Sequence, residues 1–128
     1  MFETHEMRKV TLFLIISLLI TACSTSYRNI TVQMPDLALL NDGIYRGFFD
    51  LSGTPIRVTL DVTIQGNRIS HIEILEHISS PIGRRAESII NYVIAKQSLD
   101  IDVIGGATAS SKAILKAIEE ALDGNLLQ

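Results

Sequence analysis

The 128-residue sequence has a single cysteine, no excess of basic residues and no apolar run long enough to cross a bilayer. One cysteine excludes a disulfide framework and a thiolate zinc site. With 11 Lys and Arg against 14 Asp and Glu the net charge is −3, which excludes the basic footprint of a nucleic-acid-binding domain. Disorder is excluded as well, because 47% of the residues are hydrophobic. No internal repeat or low-complexity stretch is present, and the length admits one domain.

The apolar residues are crowded at the start. Val10 to Ala22 (VTLFLIISLLITA) runs for thirteen residues without a charge, behind the basic pair Arg8 and Lys9. A spanning helix needs roughly 17 to 25 apolar residues, whereas a secretory signal combines a basic flank with a shorter apolar stretch and small residues at the cut. The run ends Ile20-Thr21-Ala22-Cys23, which resembles the lipobox of bacterial lipoproteins, where the cysteine is lipidated and becomes the new N-terminus. The resemblance implies a signal peptide over residues 1–22, with Met7 as an alternative start after Glu3 and Glu6. It also implies a lipid anchor at Cys23 that holds the chain at the cell membrane or outer membrane, facing the extracytoplasmic side. Several acyl chains anchor stably where one is marginal. The 106 residues that remain keep the charge of −3 and are about 44% apolar, an ordinary value for a soluble domain.

Residues 23–40 read as a tether followed by a short packed segment, and residues 41–128 as the domain. Asn41-Asp42-Gly43 marks a turn, and 44–51 (IYRGFFDL) a first strand. Ile56, Val58, Leu60, Val62 and Ile64 then alternate with polar residues, the period of a strand with one buried face. Gly66-Asn67 turns the chain into a third strand over 68–77, in which Ile72 and Ile74 share a face. Ser80-Pro81 opens a helix over 81–97 with Ala86, Ile89, Ile90, Val93 and Ile94 at helical spacing. Leu99, Ile101 and Val103 alternate as a short fourth strand. A last helix carries Ile114, Leu115, Ile118, Ala121 and Leu122 on one stripe, with Lys116 and Glu120 one turn apart and Gly124 at its end. The expected order is βββαβα, an α+β fold in which an antiparallel β-meander packs with two helices.

Between the fourth strand and the last helix lies Asp102-Val103-Ile104-Gly105-Gly106-Ala107-Thr108-Ala109-Ser110-Ser111. The small residues clear space beside the backbone, and three hydroxyls sit where a helix N-terminus offers unpaired N–H groups and a partial positive charge. That suits a phosphate, and Lys112 in the first turn would favour an anion. The same residues also suit a plain turn with Thr108 or Ser110 as N-cap.

The run resembles the signature of the FMN-binding domain family: an acidic residue, then Ser or Thr before Gly-Ala-Thr, then further hydroxyls at a helix start. The likeness extends from about Asp42 to Gly124 through Asp42-Gly43-Ile44-Tyr45-Arg46-Gly47, Gly66-Asn67-Arg68-Ile69 and Gln97-Ser98-Leu99-Asp100-Ile101-Asp102. Similar domains occur in the G and C subunits of Rnf- and Nqr-type redox pumps. The resemblance implies FMN joined through its phosphate to Thr108 by a separate Mg-dependent flavin transferase that uses FAD. Gly106, Ala107, Ser110, Ser111 and Asp102 would complete the cofactor site. The chain departs from the pattern at Gly105, which stands where the family usually has Ser or Thr.

Other candidates have bland counterparts. Tyr45, Phe48, Phe49 and Tyr92 read as core residues before flavin flanks, and His77 as a solvated strand end before a proton relay. His71 and His77 lack spaced carboxylate partners, so no metal site is expected. Arg84 and Arg85 read as an exposed basic pair before a phosphate or partner contact. No general base accompanies Ser110 or Ser111, so no catalytic residue is expected. The expectation is an electron-transfer carrier with redox partner proteins rather than an enzyme. The alternatives are noncovalent FMN and a non-redox envelope lipoprotein of the same fold.

Overall fold

The structure, a computed structural model, describes residues 7–12, 14 and 27–124. Most of the apolar leader, and Cys23 with it, lies outside the described residues. No helix among them is long and apolar enough to cross a membrane.

Three antiparallel strands form one sheet in the order β1-β2-β3, with β1 at Gly43–Asp50, β2 at Arg57–Gln65 and β3 at Arg68–Ile78. The fold is the expected α+β meander with helices after it. Val58, Leu60, Val62 and Ile64 are almost fully buried along β2, as their alternation requires. On the opposite face Arg46 of β1 meets its register partner Asp61, with Arg46 donating to both carboxylate oxygens at 2.7 and 2.8 Å. The β2–β3 pairing slips twice, leaving Ser70 and Leu75 without a register partner. Each slip inserts one residue and resets which face the following side chain takes. Ile69 and Ile72 are therefore both buried although three residues apart, and His77 is returned to the core side opposite Val58.

The segment expected as one helix over 81–97 divides in two. Gly83–Ser88 is a 3-10 turn and Ile89–Lys96 is helix α1. Ser80 is not the expected helix cap: its Oγ accepts from the Gly83 N–H at 3.0 Å in a local turn, and the N-cap of the 3-10 turn is Ile82, which makes no side-chain capping bond. Helix α1 ends at Gln97 in the left-handed conformation (φ 52°).

The fourth strand does not form. Ile69 is on the outer edge of β3, and its N–H and C=O are both bonded by the Gln97 side-chain amide, each at 2.8 Å. Local turns hold the segment itself: Ser98 Oγ accepts from the Asp100 N–H, and the Ile101 N–H bonds back to the Leu99 carbonyl. The alternation of Leu99 and Ile101 pins a loop to the core instead of building a strand.

Helix α2, Thr108–Leu122, lies across β1 and β2 and ends before Gly124 (φ 112°). Ala113, Ala117 and Ala121 bring it down closely, with Ile114 and Ile118 filling the space beside them, all fully buried. Burying each isoleucine contributes about 1.5 to 3 kcal/mol. At Gly47 of β1 a Cβ would overlap the Ala117 carbonyl oxygen. On the helix's other flank, Lys116 pairs with Glu119 at 2.7 Å, while Val32, Met34, Leu37 and Leu40 pack against the core ahead of β1.

Gly47→Ala forces backbone apart where nothing flexible can yield, so a loss of about 2 to 3 kcal/mol is expected, or a melting temperature lower by roughly 10 °C or more. Thermal denaturation followed by circular dichroism measures it.

Candidate functional site

The site is built around the entry to α2. Gly106 adopts φ 79°, a conformation that favours glycine, and the Ala107 N–H closes the turn on the Ile104 carbonyl at 2.9 Å. The N-cap is Ala107, with no side-chain capping bond, so neither Thr108 nor Ser110 is the cap that simple turn chemistry suggests. The first intrahelical bond runs from the Ser111 N–H to the Ala107 carbonyl. The N–H groups of Thr108, Ala109 and Ser110 precede it, at the positive end of the helix dipole.

The three hydroxyls of the turn have different fates. Ser111 is fully buried and its Oγ accepts from the Ile104 N–H at 3.0 Å, holding the loop onto the helix. Ser110 is buried and shares a 2.7 Å bond with Ser79 at the end of β3. Gly83 lies over this pair, since a Cβ there would overlap Ser79 Oγ and crowd Ser110 Oγ. Thr108 alone of the three has no hydrogen bond from its hydroxyl to any described residue, and it is half-buried on a cavity wall.

That cavity has a volume of about 310 Å³. Pro55, Ile56 and Ile82 supply its apolar surface, Gly83, Gly106, Ala107 and Ala109 keep it open, and Ser79, Ser80, Thr108 and Ser110 bring hydroxyls. A free hydroxyl, three unpaired N–H groups and apolar walls fit a phosphate ester with a flat aromatic group attached. Pro55, Ser79 and Ile82 had no individual signal in the sequence, and Ile56 read only as the first residue of the alternating strand. They arrive from the start of β2 and the end of β3, brought together only by the hairpin.

A second cavity of about 300 Å³ lies on the other side of the Gly105-Gly106 turn, between Tyr92 and Lys96 of α1 and the loop Ile101–Gly105. Asp102 is exposed and lines this one, apart from the cavity of Thr108. Gly105 lines it as well, and a Cβ there meets nothing within 4 Å. A Ser or Thr at this position would therefore bring its Cβ into contact with no neighbouring atom.

Several expectations change. Lys112 does not face an anion: its Nζ donates to the carbonyls of Tyr27 and Arg28 at 3.0 and 3.2 Å. His77 is not a solvated strand end, because its side chain is 2% exposed, with Nδ1 2.8 Å from Glu87 Oε1 and Nε2 buried without a partner. Its imidazole ties the end of β3 to the 3-10 turn that walls the cavity. Of the aromatics, Tyr45 is core, donating its hydroxyl to the Asn41 carbonyl at 2.8 Å, and Phe49 packs against the core. Phe48 and Tyr92 are exposed instead. Arg84 and Arg85 are an exposed pair, as expected.

Ser111→Ala leaves the Ile104 N–H without its acceptor, so a loss of about 1 to 2 kcal/mol is expected, read as a lower urea midpoint with an unchanged slope.

Comparison with known proteins bears on this arrangement. A family model described as the FMN-binding domain matches residues 52–123, a range that includes both cavities and Thr108. A protein of Treponema pallidum (strain Nichols), described only as uncharacterized, is 32% identical over 87 residues, which is 66% of this chain and 24% of that protein. The chain thus spans about a quarter of that relative's length. Since the matched range covers more than half of the sequence and its turn, cavity and free hydroxyl suit a flavin phosphate, the chain belongs to the FMN-binding domain family.

Proposed function

We propose that this chain carries FMN covalently on Thr108 Oγ1 and relays electrons between redox partner proteins as a carrier rather than an enzyme. A flavin transferase would form the phosphoester by breaking the pyrophosphate bond of FAD, with AMP leaving and the Thr108 hydroxyl giving up its proton. In the same proposal Cys23 bears the lipid that holds the domain to a membrane on its extracytoplasmic side. The observation that carries the attachment is the separation of the three hydroxyls. Ser110 and Ser111 are buried and bonded within the protein, while Thr108 is free and lines the cavity.

The residues around Thr108 have separable tasks. Gly106 and Ala107 let a phosphate approach the backbone, and the N–H groups of Thr108, Ala109 and Ser110 with the helix dipole oppose its charge. Pro55, Ile56 and Ile82 offer apolar contact to a ring. Ser79 and Ser110 hold the first turn in place, and Asp102 stands on the outer side of the loop, where an approaching transferase would meet it. Bound flavin supplies one- and two-electron chemistry, and the protein supplies position and electrostatics. A phosphoester also retains the cofactor in a compartment from which a diffusible one is lost.

The test is co-expression of the exported chain with an active flavin transferase, followed by denaturing electrophoresis. Yellow-green fluorescence should travel with the wild-type band, persist in Ser110→Ala and vanish in Thr108→Val. Flavin that co-purifies natively but leaves on denaturation would replace this with noncovalent binding, and absence of flavin in both states would leave the non-redox envelope lipoprotein. Incorporation of a labelled fatty acid, abolished by Cys23→Ala, tests the anchor separately.

A further inference from the structure

The segment ahead of the domain is fastened to α2 from Tyr27 onward. Lys112 Nζ holds the carbonyls of Tyr27 and Arg28, Lys116 Nζ reaches the Thr31 carbonyl at 3.5 Å, and Val32 and Met34 pack against the core. Lys112 is four residues beyond Thr108, so the two side chains share one face of the helix a turn apart. The chain therefore enters the domain beside the Thr108 end of α2. Cys23 precedes Tyr27 by four residues, a span of at most about 14 Å when fully extended. A lipid at Cys23 would leave this end of the domain little room to move away from the bilayer.

The surface at the same end suits such a position. Ile82, on the rim of the Thr108 cavity, is 58% exposed, and Arg84 and Arg85 follow it on the surface. An exposed apolar side chain beside two guanidinium groups matches a bilayer interface with anionic headgroups, where a basic patch supplements an acyl anchor. On the reading that Cys23 carries the lipid, we propose that the domain docks on the membrane surface with its Thr108 cavity end. Ile82 enters the interface, and Arg84 and Arg85 contact anionic lipid phosphates. The Gly66-Asn67 turn, at the far end of the β2–β3 hairpin, points away. FMN on Thr108 then exchanges electrons with donors and acceptors held in the membrane.

The sequence contains no tryptophan, so Ile82→Trp and Gln65→Trp each create a unique emitter, one at each end of the sheet. Both variants are prepared without flavin, lipidated at Cys23, and placed on vesicles of phosphatidylethanolamine and phosphatidylglycerol that contain lipids brominated near the headgroup. Quenching at Ile82→Trp should exceed that at Gln65→Trp by at least about threefold, as an interfacial and a distant residue differ. Equal quenching, or stronger quenching at Gln65→Trp, overturns the orientation. Adding Arg84→Glu and Arg85→Glu should reduce the Ile82→Trp quenching, and undiminished quenching overturns the headgroup contact. The readout needs no flavin. Coupling Cys23 to a maleimide lipid in vitro gives the same comparison without cellular lipidation, so failure of the orientation is separable from failure of either the anchor or the flavin attachment.

Discussion

The closeness of α2 to the sheet is the constraint on which the rest of the molecule depends. Gly47 offers no side chain where the Ala117 carbonyl comes down, and Ala113, Ala117 and Ala121 keep that face of the helix low. A larger residue at any of these positions lifts the helix and moves its N-terminus with it. Because the proposed cofactor site lies at that N-terminus, a packing choice in the middle of the helix determines where Thr108 stands. Helices carry such displacements along their length, since close-packed interiors do not absorb them locally.

The N-terminal turn is then held from two directions by residues that look like ligands. Ser111 takes the Ile104 N–H and fixes the loop to the helix, while Ser110 takes Ser79 and fixes the helix to the end of β3. Gly83 makes room for the second contact, and the His77–Glu87 pair holds the neighbouring 3-10 turn against the same strand. Three hydroxyls within four residues therefore divide into two that give the turn its rigidity and one without a hydrogen-bond partner among the described residues. A rigid first turn keeps the free N–H groups aimed at one point, which is what makes a helix N-terminus useful to an anion.

Much of the fold could be read from periodicity, and the places where that reading failed share a cause. The alternation along β2 was clear because one residue in two faces the core without interruption. In β3 two bulges break the period, so Ile69 and His77 reach the core at positions that alternation assigns to solvent. Residues 99–103 alternate as a strand does, yet the edge they would pair with has Ile69 occupied by Gln97. Lys112 carried the right charge for an anion site and was directed instead to the carbonyls of residues 27 and 28. In each case the deciding partner is more than 20 residues distant or is a backbone irregularity that side-chain type does not encode.

By itself the sequence determined the composition of the site and its neighbourhood along the chain: small residues, then hydroxyls, at the start of a helix that follows a meander. Those are properties of residue type and spacing, which local sterics and hydrophobic period fix without reference to distant parts. The tertiary structure decided which hydroxyl is free, because that depends on Ser79 and Ile104 arriving with unsatisfied polar groups of their own. It also decided that Asp102 and Thr108 face different cavities on either side of one turn, and that Pro55, Ile56 and Ile82 wall the second of these residues. Hydrogen-bond satisfaction and burial are pairwise properties of atoms brought together by folding, so neither is present in the linear pattern that specifies the fold.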